Sequence, residues 1–172
     1  MEVEVKFKVD FNEIEGKIKA LGATFIGEEV QEDLYFDLPL PDLLRIRHIV
    51  NLNKVILGYK EIKDEKNEEF DEIEVGVEDF NKMKEILERL GFKEDVWVKK
   101  YRRVYKLGNI TFELNTVEGL GDFLDIEVIS DNVNEAKERI WEVAGKLGLK
   151  EKDIESRLYQ ELIKEREKTT LQ

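Results

Sequence analysis

Near the start of the chain Glu2, Glu4 and Lys6 occupy every second position, with Val3, Val5 and Phe7 between them. A two-residue period sends successive side chains to opposite faces of a strand, so one face of this segment is ionic and the other apolar. The pattern returns at Arg45 and Arg47 against Leu44 and Ile46, and at Glu72 and Glu74 against Ile73, Val75 and Val77. It returns again at Glu113 and Asn115 against Phe112 and Leu114, and at Asp125 and Glu127 against Leu124, Ile126 and Val128. Lys60, Lys100 and Arg102 fall on the charged side of two further strands. Arginines at alternating positions offer forked donors suited to phosphate oxygens. Carboxylates at alternating positions offer hard oxygen ligands for magnesium or manganese. The combination describes a site for a metal-bound polyphosphate.

Other chemistries are excluded by composition. The 172 residues contain no cysteine and one histidine, which removes disulfides, thiolate metal sites, cysteine nucleophiles and any site needing two imidazoles. There is no GxxxxGK[ST] or GxGxxG loop, so phosphate must be held by side chains rather than by a helix-cradled loop. Forty acids against 28 bases give a net charge of -12, which disfavours nucleic acid and anionic membranes as partners. No apolar run approaches the roughly 20 residues needed to span a bilayer, and the opening MEVEVKFKVD lacks the apolar stretch of a signal peptide. The expectation is a cytoplasmic protein. The length predicts one domain over 1–172, with 41% hydrophobic residues to build its core.

The elements that must carry these residues are about eight strands and four helices. Besides the alternating segments, strands are expected around Gln31 to Asp37, Val55 to Ile62 and Trp97 to Lys106. Helical stripes run through Ile14, Ile18 and Leu21, with Asn12 and Glu15 as a capping box, and through Phe80, Met83, Leu87 and Leu90. A third stripe joins Ala136, Ile140, Val143 and Leu147. A fourth joins Ile154, Leu158 and Leu162 behind an Asp153 cap, before the charged tail KEREKTTLQ frays. An acidic strand, a helix and then Leu-Gly recur three times: EVEV at 2–5 with Leu21-Gly22, EIEV at 72–75 with Leu90-Gly91, and DIEV at 125–128 with Leu147-Gly148. With apolar faces turned to covering helices, the charged faces meet either open solvent or the lumen of a closed barrel. Alternation puts His48 on the helix-covered face, away from Arg45 and Arg47. Trp97 and Trp141 are read as packing or rim residues, with base stacking open to Trp97. Tyr35 is either a lumen hydrogen-bonder or a half-buried strand aromatic.

Six motifs in order carry a family resemblance: the ExExK opening, LRIR with Arg45 and Arg47, Tyr59-Lys60, the EIE of Glu72 and Glu74, KYRRVY with Lys100 and Arg102, and the closing GLGDFLDIE. Together they resemble the CYTH family of triphosphate tunnel metalloenzymes, which includes class IV adenylyl cyclases and thiamine triphosphatases. The likeness extends to SRLYQELI near the C-terminus. It implies an α+β fold, an eight-stranded antiparallel β tunnel with a charged lumen and helices packed outside, and a Mg2+ or Mn2+ cofactor. Carried over residue by residue, Glu2, Glu4, Asp125 and Glu127 would hold the metal. Lys6, Arg45, Arg47, Lys60, Lys100 and Arg102 would hold the triphosphate. Lys60, Glu72 and Glu74 are the candidate catalytic residues, the two glutamates either joining the metal shell or orienting bases. Two positions depart from the family pattern: Asn115 where Asp is usual, and Asp125 where Glu is commoner, which bears on the number of metals.

The resemblance leaves two reactions on one set of motifs. In hydrolysis water attacks the terminal phosphorus of a small triphosphate such as tripolyphosphate, ATP or thiamine triphosphate. In cyclisation a ribose 3'-hydroxyl attacks the alpha phosphorus of ATP. Hydrolysis ranks first because it needs no base-recognition pocket. A polyphosphate- or nucleotide-binding module without catalysis is disfavoured by three acidic pairs, which weaken anion binding unless a metal bridges them.

Overall fold

The computed structural model describes residues 1–39, 41–64 and 69–171. Eight strands form its wall: β1 Glu2–Lys8, β2 Thr24–Asp37, β3 Leu43–Ile49, β4 Lys54–Asp64, β5 Glu69–Val77, β6 Lys93–Leu107, β7 Ile110–Val117 and β8 Gly121–Ile129. Four helices lie outside it: α1 Phe11–Ala20, α2 Phe80–Arg89, α3 Val133–Lys146 and α4 Tyr159–Leu171. The strands close into an antiparallel barrel in the order β1-β5-β4-β3-β2-β6-β7-β8, with β8 returning to β1. The alternating segments therefore face a lumen with their charges and the helices with their apolar sides. None of the described helices is long and apolar enough to cross a membrane.

Most of the outer wall is covered. Val3, Val5 and Phe7 of β1, Phe112 and Leu114 of β7, and Ile126 of β8 pack with Ile14 and Ile18 of α1 and with Ile140 and Val143 of α3. Each fully buried side chain of this kind contributes roughly 1.5–3 kcal/mol. A separate cluster places Leu34, Phe36, Leu44 and Ile46 under Leu87 of α2. Ile73 and Val75 break the pattern, since they stay 68% and 55% exposed on the outside of β5, uncovered by the described helices. His48 faces α2, 6.5 Å from the Phe80 ring, and Trp97 stacks on Phe80 at 5.7 Å. Trp97 thus belongs to the outer wall and forms no base platform in the lumen. Trp141 packs edge-on against Phe7.

The three Leu-Gly units end α1, α2 and α3 as the repeat predicts. Leu21, Leu90 and Leu147 are the C-caps, and Gly22, Gly91 and Gly148 follow with φ of +87°, +100° and +75°, a left-handed geometry that favours glycine. The start of α1 differs from the expectation. Asp10, in extended conformation, caps the helix by accepting the Glu13 N–H at 3.0 Å, while Asn12 already lies in the first turn.

The C-terminal region differs more. Asp153 closes a 3-10 turn over Glu151–Asp153 by accepting the Lys150 N–H at 2.9 Å, and the chain then runs extended. Among the described residues β1 pairs with β5 through Glu2↔Phe70 and Val3↔Glu69. Farther along β1, Ile154 bridges Phe7 and the Glu155 N–H donates to the Lys6 carbonyl at 2.9 Å. Only then does α4 begin, and its Tyr159 and Leu162 pack on Tyr35, Val98, Val117 and Phe123 at one end of the barrel. The charged tail does not fray but stays helical through Leu171, helped by the Lys164–Asp95 and Arg157–Glu165 ion pairs. Gln172 lies outside the described residues. The corrected cap yields a direct test: Asp10→Ala should cost about 1 kcal/mol in urea unfolding, the usual penalty for losing an N-cap, while Asn12→Ala should cost a few tenths or less.

Candidate active site

Closing the sheet sorts the charges. In barrel order, β7, β8, β1 and β5 are neighbours, and they bring in Glu113, Asp125, Glu127, Glu2, Glu4, Glu72 and Glu74. The other half, β4, β3, β2 and β6, brings in Lys60, Arg45, Arg47, Lys100 and Arg102. Among the described residues Lys6 is the one base reaching the lumen from the acidic half, and Glu29 is an acid on the basic half. The lumen holds about 500 Å³, within the usual range for a small-molecule site. Every candidate site residue named from the sequence lines it.

On the acidic half, cross-strand pairing sets Glu4 opposite Glu127. Glu2, Glu4 and Glu127 each present an oxygen within 4.8 Å of the others. Lys60 approaches from β4, 3.4 Å from Glu2 and 3.8 Å from Glu4. Burial, with the like charges of Glu4 and Glu127, pushes the Glu2 carboxyl up to about 10 against the pull of Lys60. Burial, with Glu113 and Glu4, raises Glu127 to about 8. Glu4 moves the other way, to about 2, because Lys60, a hydrogen bond with Glu2, Lys6 and Arg102 outweigh its burial. Two of the three carboxyls thus hold protons that a cation would displace.

Asp125 stands outside this trio. Its Oδ2 accepts from Asn115 Nδ2 at 2.9 Å and from the Tyr159 hydroxyl at 3.0 Å, while its Oδ1 is buried without a partner. Burial and nearby Glu4 raise its carboxyl to about 7. Asn115, the departure from the family pattern, serves as a linker, since its Oδ1 also accepts from Arg102 Nε at 2.8 Å.

The bases are paired in their turn. Arg45 meets Glu72 at 2.9 Å and Glu74 at 3.8 Å and donates to the Tyr35 hydroxyl at 3.4 Å. Of the two roles open to Glu72 and Glu74, their position matches the orienting of a base, and neither joins the carboxylate trio. Arg102 pairs with Glu113 at 2.6 Å. Lys6 donates to the Arg157 carbonyl and stands 4.4 Å over the Tyr159 ring. Tyr35, left open by the sequence, is buried and bonded to a lumen base. Sequence reasoning missed Asp33, Tyr159 and Gln160. Asp33 carried a signal, lying two residues before Tyr35 and so on the same face; the other two enter from the start of α4, which no strand alternation can reveal.

The donor set fits a hard divalent cation: three carboxylate oxygens converge, and a fourth, Asp125 Oδ1, lies buried and unsatisfied. Among the described residues eight acids against six bases line the lumen, so without a cation it would be a poor receptor for a polyanion.

A family model for the CYTH domain matches residues 1–159, and the chain belongs to that family. The solved PH1012 protein of Pyrococcus horikoshii is 57% identical, with a TM-score of 0.92 over 94% of this chain and 99% of the other. A Methanocaldococcus jannaschii protein whose name suggests an adenylate cyclase is 35% identical over 94% of this chain and 98% of its own length. The adenylate cyclase CyaB of Aeromonas hydrophila is 25% identical over 92% of this chain and 87% of its own.

An acid whose folded pKa exceeds its unfolded value binds more protons when folded, so stability declines as pH rises above the unfolded value and levels off beyond the folded one. Glu2, Asp125 and Glu127 all act in this sense between about pH 4.5 and 7. The melting temperature of the metal-free protein should therefore fall from pH 5 to pH 7, and Glu127→Gln should lessen the fall. Magnesium, which takes the ionised carboxylates, should raise the melting temperature more at pH 8 than at pH 5. A flat or rising metal-free profile would contradict this account of the acidic half.

Proposed function

We propose that the protein cleaves a phosphoanhydride bond of a metal-bound triphosphate by hydrolysis. The observation that carries the reading is the two-sided lumen, with a carboxylate trio on one half and Arg45, Arg47, Lys100 and Arg102 on the other. A triphosphate lying between the halves meets cation ligands on one side and guanidinium and ammonium donors on the other. Glu2, Glu4 and Glu127, with Asp125 beside them, would hold Mg2+ or Mn2+. Bound there, the ion supplies electrostatic stabilisation of the charge that develops on phosphoryl oxygens.

The chain's own residues do the rest. Arg45, Arg47, Lys100 and Arg102 grip the phosphate oxygens and fix the substrate along the tunnel. Glu72 and Glu74 hold the Arg45 guanidinium in place for that contact. Lys60 sits between the trio and the basic half, where its ammonium can balance charge on the bond being broken. Lys6 is held near the α4 end by the Arg157 carbonyl, which leaves further N–H donors for phosphate.

A second reading, cyclisation of ATP, is favoured by the cyclase names of the Methanocaldococcus and Aeromonas relatives. Ile49, Ile56, Val104 and Ile129 also line the lumen and supply apolar surface that a purine could cover.

Three measurements test the assignment. Phosphate should be released from inorganic tripolyphosphate with magnesium or manganese, and turnover should be lost in Lys6→Ala and Arg47→Ala. Cyclic AMP and pyrophosphate from ATP, with tripolyphosphate left uncut, would establish the cyclase instead. Glu4→Ala and Glu127→Ala should abolish metal-dependent turnover while far-ultraviolet dichroism stays unchanged, and Glu85→Ala, on the exposed side of α2, should behave as wild type. Tripolyphosphate with metal should stabilise the fold by about 2.7 kcal/mol at a hundredfold excess over its dissociation constant. Equal shifts from sulfate and monophosphate would point to a generic anion effect.

A further inference from the structure

Behind the lumen surface lies an acid that neither the metal trio nor the proposed chemistry uses. Asp33 of β2 is fully buried and is absent from the lumen lining, whereas Arg47 and Lys100 both belong to that lining. Its Oδ1 accepts from Arg47 Nε at 2.7 Å, and its Oδ2 accepts from Arg47 Nη2 at 2.8 Å and from Lys100 Nζ at 2.6 Å. The sheet order produces this contact. Since β2 lies between β3 and β6, Asp33 has Arg47 directly across one ladder, and Val98 across the other with Lys100 two residues further on.

We propose that Asp33 is a positioning residue of the phosphate-binding surface: from behind the lumen wall it locks the Arg47 fork and the Lys100 ammonium into one paired donor for a single phosphoryl group. The inference rests on the reading of the lumen as a triphosphate site. The bidentate contact occupies the Nε–Nη2 edge of Arg47 and so fixes the plane of the guanidinium, leaving the Nη1 side for a ligand. The short bond from Lys100 sets the ammonium beside it. Stability alone does not explain the arrangement, because three buried charges seldom improve on apolar residues of the same volume. What the triad provides is a fixed geometry, and tight transition-state binding depends on donors that need no rearrangement.

Asp33 also governs the charge of its partner. Burial pulls Lys100 down to about 7, and among the groups facing it Arg47 and Arg45 of β3 and Arg102 of β6 pull the same way. The Tyr159 ring of α4 lies 5.8 Å from the ammonium. Asp33 opposes that fall, so without its charge Lys100 would give up its proton at lower pH and with it much of its attraction for phosphate.

The test is the dissociation constant of magnesium tripolyphosphate, measured by calorimetry from pH 6 to 8.5 for wild type, Asp33→Asn and Asp33→Glu. In Asp33→Asn, binding should weaken at least tenfold at pH 7.5, and its loss at alkaline pH should begin at lower pH than in wild type. In Asp33→Glu, which keeps the charge and so guards against failure to fold, the pH profile should stay near that of wild type. Its longer side chain displaces the fork, however, so binding should still weaken by about threefold or more. Wild-type affinity and pH profile in both variants, even with a lowered melting temperature, would overturn the proposal and leave Asp33 a structural ion pair. Wild-type protein that binds tripolyphosphate without cutting it would remove the hydrolysis reading and leave this one standing. Absence of binding by wild type would overturn both.

Discussion

A carboxylate or ammonium withdrawn from water costs several kcal/mol unless a counter-charge comes with it, and here, among the described residues, six bases and eight acids line one lumen of about 500 Å³. Most of the structure follows from meeting that constraint. Arg45 is matched by Glu72, Arg102 by Glu113, Arg47 and Lys100 by Asp33, and Lys60 by Glu2 and Glu4. The pairing is complete on the basic half and incomplete on the acidic half, where Glu2, Asp125 and Glu127 are all pushed toward their neutral forms. The acidic wall therefore carries carboxyls held toward neutrality, while Arg45, Arg47, Lys100 and Arg102 opposite keep partners outside the trio.

Placing charge inside the barrel leaves the apolar faces to hold the fold together. On β1, β7 and β8 they are sealed by α1 and α3, and these are the strands that carry the converging acids. A rigid outer pack fixes the backbone, and fixed backbones keep the Glu4 and Glu127 oxygens close despite their repulsion. β5 has no such cover over Ile73 and Val75, and among the described residues it meets β1 through two residue pairs. Ile154 and Glu155 attach to β1 at Phe7 and Lys6, so the segment leading into α4 delivers Tyr159 to Asp125 and Asn115.

Much of this was legible in the sequence because strand alternation is a local rule. Period two assigned Glu2, Glu4, Lys6, Arg45, Arg47, Glu72, Glu74, Glu113, Asp125 and Glu127 to one face without any knowledge of neighbours, and all of them meet in the lumen. The three Leu-Gly helix ends were readable for a similar reason, since a left-handed residue after a helix is a local demand met by glycine. Misreadings fell where local signals compete. Asp10 and Asn12 are both capping residues, and which one caps depends on where the strand before α1 releases the chain. The stripe of Ile154, Leu158 and Leu162 has helical spacing, yet Ile154 is held in a bridge to Phe7, and that long-range contact outweighs propensity.

The sequence by itself determined which residues are charged toward one face, that cysteine chemistry and paired imidazoles are absent, and that, Lys6 apart, the charged-face bases and acids reside on different strands. Only the tertiary structure decided that β7, β8, β1 and β5 would lie side by side and β4, β3, β2 and β6 opposite them, because strand order is set by closure of the barrel and not by chain order. That order made Glu2, Glu4 and Glu127 a trio while leaving Asp125 to Tyr159 and Asn115. It also set Asp33 between two cations that lie 14 and 67 residues away in the chain. The reason is physical: alternation specifies a face, whereas distances of a few ångströms between charges from different strands depend on register and curvature, which the whole barrel fixes at once.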